Sequence, residues 1–408
     1  MAISRIIGHL DADCFYVSAE RVRYGHLAGS PVGVLGNQGA CVIAKSYEMK
    51  AAGVKTGEPV WEAIRKCPDG LFVKRDFRWY EVLSRMMLDV VRELSPRVEY
   101  YSIDEFFFEA TSPPGMDPQA YALSIRDRIM ERVKVPVTVG LARSKTLAKL
   151  ISDSAKPFGA LAVLDREAEV KLLSARPVTE ISGISGRRER RLMPWGIFTC
   201  MDLANADRRL VRQLLPATGE ALWWELNGES VLPIHPKRTP HKMISRGGSF
   251  GEPTDRPDVL YAWLVRHLER LIEELEYHEV RTGKVMTWVG YRDGRAGEGT
   301  SGLVTPTNRF DVLLDAFRPC LRQSWIPRAT ASRMHLFAHK LTPSSDTQLN
   351  LFDREGERAG KLATVKREIN GRQGRFAVRS AATLPLFEIY RDKAGEYDVC
   401  DIRGKVCF

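Results

Sequence analysis

Tyr101-Ser102-Ile103-Asp104-Glu105-Phe106-Phe107-Phe108 is the stretch on which the fold turns. Aromatic and β-branched residues on both sides of Asp104-Glu105 read as β-strand almost throughout. Two adjacent acids interrupt the apolar run, and charged side chains are costly to bury unless paired or bound to a cation. One reading of the pair is a solvated hairpin turn, where acids are ordinary. The other needs a second stretch, and the N-terminus supplies it. Ile6-Ile7-Gly8-His9-Leu10 reads as a short strand running straight into Asp11-Ala12-Asp13-Cys14-Phe15-Tyr16. Two strands delivering carboxylate to one end would bring Asp11, Asp104 and Glu105 together. Three carboxylates at close range cannot all stay ionised without cations. Hard divalent ions convert them into an oxygen-rich site suited to Mg²⁺. Two such ions about 3.5–4 Å apart can activate a hydroxyl and stabilise the leaving oxygens in phosphoryl transfer.

Composition frames that reading. A chain of 408 residues, 44% of them hydrophobic, has material for two to four folded domains. No apolar run approaches the length of a membrane span. Met-Ala-Ile-Ser-Arg at the N-terminus lacks the cationic and apolar pattern of a signal peptide. The seven cysteines (14, 41, 67, 200, 320, 400, 407) are scattered, with no Cys-x-x-Cys, so reduced thiols in a cytoplasmic protein are expected. A formal net charge of +10 favours a polyanionic partner.

In the first half, strands and long helices alternate, which gives an α/β sheet covered by helices. Ser46 and Gly53 punctuate a short helix whose Tyr47 and Lys50 share one face near its positive end, an arrangement that suits phosphate. The alternative is an ordinary surface helix. Residues 25–70 read as an insertion. Phe77, Tyr80, Leu83, Met87, Val90 and Leu94 predict a long buried helix; Pro118 to Val133 reads as another, and Ser144 caps a third that ends near Ala155-Lys156-Pro157. Lys156 could offset the charge of that helix end or reach a triphosphate.

From about 166 the chain turns to short helices. Gly183-Ile184-Ser185-Gly186 followed by Gly196-Ile197 resembles a helix-hairpin-helix, in which a glycine hairpin lets backbone N–H groups approach a nucleic-acid phosphate. Arg187, Arg188, Arg190 and Arg191 sit beside it; the alternative is a plain helical corner with a solvated basic face. Residues 232–244, rich in proline and basic residues, read as a linker. Beyond it the order of elements is βαββαβ, a ferredoxin-like arrangement. His335 and His339 are four apart but fall on a strand end, and no second ligand pair lies nearby, so zinc is not expected. After Thr342 the chain becomes polar, with Gln348-Leu349-Asn350-Leu351-Phe352 as an apolar cluster and a weak strand signal at Thr383 to Tyr390. A short apolar peptide in a polar tail reads either as docking into a partner's groove or as a strand packed back on the body.

Taken together these residues resemble the Y-family translesion DNA polymerases, and the resemblance covers about residues 5 to 353. Its most specific parts are Asp11-Ala12-Asp13-Cys14-Phe15-Tyr16, Tyr47-Glu48-x-Lys50, Ser102-Ile103-Asp104-Glu105, Thr138-Val139-Gly140 with Ala155-Lys156-Pro157, and the glycine hairpin at 183–197. Gly247-Gly248-Ser249-Phe250-Gly251 and the tail look most like bacterial polymerase V catalytic subunits. The resemblance implies a right-hand polymerase. Residues 1–24 and 74–165 would be a ferredoxin-like palm, 25–73 small fingers, 166–231 a helical thumb, 245–342 a little finger and 343–408 a tail.

Asp11, Asp104 and Glu105, with the carbonyl of Ala12, would hold two Mg²⁺ ions. Cys14, Phe15, Tyr47, Lys50 and Lys156 would hold the dNTP, and Tyr16 would lie under its sugar. Lys50 stands where the family more often has Arg, keeping the charge without the bidentate fork. Gly183, Ser185, Gly186, Arg187 and Arg188 would grip primer–template DNA. Gln348, Leu349, Leu351 and Phe352 resemble a peptide that docks on the sliding clamp, and accessory mutagenesis subunits are further candidate partners. No nuclease domain is legible, so no proofreading is expected. The rival implied by the same resemblance is a catalytically silent relative that only binds DNA and clamp; another is a DNA-binding module with an unrelated nuclease site.

Overall fold

The computed structural model describes residues 6–36, 41–237, 240–346, 354–373 and 377–386. They divide into two compact units, one within 6–237 and one within 240–386. In the first, β1 (Ile6–Ala12) is the central strand of a sheet, antiparallel to β6 (Glu105–Ala110) on one side and to β7 (Val137–Ala142) on the other. β5 (Val98–Tyr100) lies outside β6, and β8 (Ala160–Ala162) runs parallel to β7. Both faces are covered. Phe106 and Phe108 enter a core with Tyr80, Leu83 and Met87 of α4 (Phe77–Leu94) and Ile125 and Ile129 of α5 (Pro118–Val133). Phe107 enters the opposite core with Ile7 and with Leu147 and Ile151 of α6 (Lys145–Ala155). A strand buried on both faces loses its polar alternation, which is why 106–108 is uniformly aromatic.

The 101–108 stretch is not one strand. β5 ends at Tyr100, the N–H groups of Tyr101 and Ser102 both donate to the Glu105 carbonyl at 3.1 Å, and β6 begins at Glu105. The acids therefore do sit on a hairpin turn, but one joined to the sheet beside Asp11. Phe77 also departs from the predicted buried stripe: it is exposed, with its ring edge-on to Tyr16 at 5.6 Å.

The insertion forms a three-stranded sheet of β2 (Val32–Leu35), β3 (Val42–Lys45) and β4 (Leu71–Lys74), with α2 (Tyr47–Ala51) and α3 (Val60–Lys66). Leu35, Val42, Met49, Val60 and Phe72 give it a small core of its own. Ser46 caps α2 as expected, its hydroxyl accepting from Met49 N at 3.2 Å. The short helices α7 (Arg166–Ser174), α8 (Gly186–Leu192), α9 (Cys200–Asn205), α10 (Arg208–Leu214) and α11 (Gly219–Leu226) supply Leu173, Leu192, Leu203, Val211 and Leu222 to the core under α6.

The linker expected at 232–244 is shorter than its composition suggests. Ile234 is buried in the first unit, the Pro233 carbonyl accepts from Lys145 Nζ at 3.4 Å, and His235 N donates to Glu99 at 2.9 Å. One apolar residue between two prolines is enough to anchor the segment.

The second unit follows the predicted βαββαβ order: β9 (Met243–Thr254), α12 (Pro257–Tyr277), β10 (Val280–Tyr291), β11 (Ala296–Thr307), α13 (Phe310–Ser324) and β12 (Ala331–Pro343). The sheet order β11-β10-β12-β9 is antiparallel throughout. β11 forms a full-length strand although its glycines and polar residues carry little strand propensity of their own. His335 and His339 lie on β12, as expected.

The polar tail beyond it carries helical structure among the described residues. α14 (Arg354–Gln373) is followed by a turn of 3₁₀ helix at Ala381–Leu386, not the strand that the sequence signals from Thr383; residues 387–390 lie outside the described residues. Leu386 is buried in the second core, and Glu269 of α12 receives both Lys366 Nζ at 2.5 Å and Ser380 N at 3.1 Å. Among the described residues no helix is long and apolar enough to cross a membrane, and Cys14, Cys41, Cys67, Cys200 and Cys320 are free thiols.

Candidate active site

The register of β1 decides where the acids fall. Asp11 lies opposite Glu105 on one neighbouring strand and opposite Thr138 on the other. The Asp104 carbonyl accepts from Ala12 N at 2.9 Å, closing the hairpin against the end of β1. All three predicted carboxylates thus reach one end of the sheet. Their side chains do not all point to one spot: among the described residues no three His, Cys, Asp or Glu side chains converge as they would around an ion. Lysines on and just beyond α6 intervene instead. Lys156 Nζ is 2.7 Å from Asp11 Oδ2, and Lys149 pairs with Glu105 Oε1. Asp104 accepts from the Ser102 hydroxyl, and among the described residues it forms no ion pair.

Burial pushes the Asp11 carboxyl up to about 7, against the pull of Lys156. The donor set, three carboxylates on adjacent strand ends with two displaceable ammonium groups, fits a hard divalent ion.

Four side chains that sequence reasoning did not assign belong to the same place. Lys149 carries the Glu105 pair and lies 5.8 Å from the Tyr101 ring centre. His9 is fully buried on β1, with Nδ1 2.7 Å from Ser152 Oγ. Ser152 donates to the Lys149 carbonyl at 2.8 Å, so Nδ1 carries the proton and the Nε2 lone pair is left facing Glu105 Oε1 at 3.9 Å. Burial, with Lys149 and Lys156 next, holds His9 well below the usual imidazole range, hence neutral. Asp13 and Thr138 join on the other side: the Asp13 carboxylate accepts from the Tyr47 hydroxyl at 3.1 Å, from Thr138 Oγ1 at 3.1 and 3.2 Å, and from Phe158 N at 2.7 Å. The signal available for Asp13 was its place in the motif, and for Lys149 its helical spacing from Lys145 and Lys156; neither spacing showed which way the side chain turns.

Tyr16 is the second residue of α1 (Phe15–Arg23), and its ring stacks on Tyr80 at 4.7 Å. Cys14 precedes it in a left-handed conformation with φ 45°, which turns the chain sharply from β1 into α1. Lys50 lies exposed on α2, one turn beyond Tyr47.

Sequence and fold comparisons agree on what this arrangement belongs to. The model of the impB/mucB/samB family matches residues 10–153, and that of its C-terminal domain matches 241–351. UmuC of Salmonella typhimurium (strain LT2) is 30% identical over 386 residues, covering 90% of each chain. The chain belongs to the impB/mucB/samB family. DNA polymerase IV of Oceanobacillus iheyensis is 31% identical over 329 residues, covering 79% of this chain and 78% of that one. Among solved structures, a Y-family DNA polymerase chimera, Dbh-Dpo4(243-245)-Dbh, superposes with a TM-score of 0.70 at 22% identity, covering 83% of this chain and 99% of that chain.

The fold is thus that of the Y-family DNA polymerases. The five-stranded sheet with its helices, the three-stranded sheet, the short helices and the four-stranded sheet are the parts expected as palm, fingers, thumb and little finger. In this family member the thumb hairpin is a tight turn. Gly183 has φ 89°, a conformation that other residues reach only at a cost, and its carbonyl accepts from Arg188 Nη1 at 2.5 Å. α8 starts at Gly186 after Ser185, so its first N–H groups have no partner within the helix. Arg188 is thereby drawn back onto the hairpin, while Arg187 is exposed. Gln348, Leu349, Leu351 and Phe352 lie outside the described residues.

Proposed function

We propose that the chain is a template-directed DNA polymerase of the translesion type, which adds a dNTP to a primer 3′-hydroxyl using two Mg²⁺ ions and without proofreading. The observation that carries this reading is the register that sets Asp11 against Glu105, with the Asp104 hairpin closed onto Ala12. Asp11, Asp104 and Glu105 would hold the ions with the Ala12 carbonyl. When bound, these ions would lower the pKa of the primer hydroxyl and take up charge on the triphosphate as pyrophosphate leaves.

The chain's own residues do the rest. Lys156 shields Asp11 in the free site, and its ammonium is near enough to turn to a phosphate once Asp11 is otherwise neutralised. Tyr47 and Lys50 bring a hydroxyl and a positive charge from α2, and the backbone of Cys14 and Phe15 turns past the same place. Tyr16 supplies a flat wall for the sugar. Gly183, Ser185 and Gly186 offer backbone N–H groups to a DNA phosphate, with Arg187 and Arg188 adding charge-assisted contacts.

Primer extension on a short template with Mg²⁺ and dNTPs tests the whole reading. Absence of extension with intact DNA binding would favour the silent accessory relative instead.

The apolar cluster at 348–352 is proposed to dock on a sliding clamp. Leu351 and Phe352 could fill an apolar pocket and Gln348 hydrogen-bond at its edge, with Leu349 beside them. Replacing Leu351 and Phe352 with Ala is expected to leave extension of a short primer unchanged without clamp, and to remove the stimulation that a loaded clamp gives through effective concentration. Equal stimulation of mutant and wild type would refute the assignment; loss of activity without clamp would indicate a packed strand.

A further inference from the structure

We infer that Asp13 is a positioning residue: its buried carboxylate sets the Tyr47 hydroxyl and the turn after Lys156 into one frame for the triphosphate. The inference rests on the polymerase reading above and goes beyond it, because that reading assigns no role to Asp13.

The geometry is specific. Asp13 is 3% exposed, yet it makes no ion pair among the described residues. A buried carboxylate without a counter-charge must be held by hydrogen-bond donors or give up its charge. Here three groups donate to it, each from a different element. Tyr47 comes from α2 of the insertion, Thr138 from β7 of the palm sheet, and Phe158 N from the turn that follows α6. Phe158 has φ 46°, a left-handed conformation that few residues other than glycine adopt, so this turn is a shaped feature of the backbone. The Phe158 carbonyl is itself gripped by Arg126 Nη1 at 3.2 Å.

Burial raises the Asp13 carboxyl above its usual range, and the Phe158 N–H, Tyr47 and Thr138 donors work against that rise. The strand fixes the carboxylate from its own side as well: Asp13 N donates to the Pro136 carbonyl at 2.9 Å, and the Asp13 carbonyl accepts from Ser18 Oγ at 2.5 Å. Asp13 therefore cannot be following Tyr47 about. It is the fixed point, and the tyrosine hydroxyl and the turn bearing Lys156 are located by it.

The carboxylate does not touch substrate in this frame; it acts through Tyr47 and Lys156. Asn is the discriminating substitution. It keeps the size, but turns one acceptor oxygen into a donor that confronts either Phe158 N–H or the Tyr47 hydroxyl.

The experiment compares wild type, Asp13→Asn, Asp13→Ala, Tyr47→Phe and the double variant Asp13→Asn/Tyr47→Phe. Single-turnover rates against dNTP concentration are read together with primer–template affinity. Tyr47→Phe is expected to raise the dNTP Kd about tenfold, the size of one lost hydrogen bond to a charged group. Asp13→Asn is expected to raise it by at least as much, with primer–template affinity unchanged. The double variant should be no worse than Asp13→Asn, since Asp13 acts through Tyr47. A residue that merely held the fold together would weaken DNA binding too, or add its effect to that of Tyr47→Phe; either result overturns the inference. Normal dNTP affinity in Asp13→Asn, with Tyr47→Phe impaired, also overturns it and leaves the polymerase reading standing. Unchanged dNTP affinity in Tyr47→Phe sinks the assignment of Tyr47 and this inference with it. If Asp13→Ala fails to fold, Asp13→Asn alone carries the comparison.

Discussion

Asp104→Ala is expected to reduce nucleotide incorporation by about a thousandfold or more, with primer–template affinity nearly unchanged. Of the three carboxylates it is the cleanest to remove. Asp11 is tied to Lys156 and Glu105 to Lys149, so replacing either strands a partly buried ammonium beside the remaining acids. Among the described residues Asp104 accepts only a hydroxyl, that of Ser102, on a half-buried turn whose closure depends on its backbone carbonyl. Removing its side chain leaves that closure intact. Like-charge repulsion within the free site falls, so the thermal midpoint should hold or rise. Glu105→Ala is expected to abolish incorporation as fully, but to lower the midpoint, because Lys149 loses its partner. Added Mg²⁺ should raise the midpoint of wild type more than that of Asp104→Ala. Extension by Asp104→Ala at a tenth of the wild-type rate or better would show that the site has been misassigned.

That contrast between Asp104 and its neighbours marks the line between what residues reveal and what only packing reveals. Asp11, Asp104 and Glu105 were legible because acids at the ends of apolar strands are conspicuous. The strands were legible because Phe106 to Phe108 and Ile6 to Leu10 admit little else. The lysine partners were not. Lys149 and Lys156 lie seven residues apart on and just beyond one helix, and nothing in their spacing says that both ammonium groups turn toward the sheet end rather than to solvent. His9 is similar: a histidine in a strand carries no sign of which neighbour its ring will meet.

The tail failed for another reason. Residues 354–386 are largely polar, and α14 has few apolar residues to announce itself, so their fold depends on single contacts such as Lys366 with Glu269 and the burial of Leu386. Long-range anchors of that kind leave no period in the sequence. Where periodicity or capping existed, as in α4, α5 and α6, the predicted helices agree with the observed ones nearly end to end.

Tyr16→Ala is expected to lower discrimination against ribonucleotides by roughly a hundredfold. The case rests on how firmly the ring is held. It stacks on Tyr80 with 16° between the planes, and Tyr80 is fully buried, its hydroxyl donating to Glu20 at 2.6 Å. Phe77 meets the Tyr16 ring edge-on at 5.6 Å, and Phe15 lies 5.8 Å away. A ring packed against three others cannot swing aside to admit one extra hydroxyl without breaking the stack, so it excludes by volume. Removing it opens that volume, and the penalty on a 2′-hydroxyl disappears while the deoxyribonucleotide loses only a flat contact. Tyr16→Phe separates shape from chemistry: it keeps the ring and should keep the discrimination, because the wall and not the phenol oxygen does the excluding. The quantity to measure is the ratio of kcat/KM for a dNTP and its ribonucleotide counterpart opposite the same template base. A ratio is insensitive to the fraction of correctly folded enzyme, which matters because losing the stack also costs stability. An unchanged ratio in Tyr16→Ala would mean that another side chain forms the wall; a ratio lost equally in Tyr16→Phe would mean that the hydroxyl, through a hydrogen bond, is what orients the sugar.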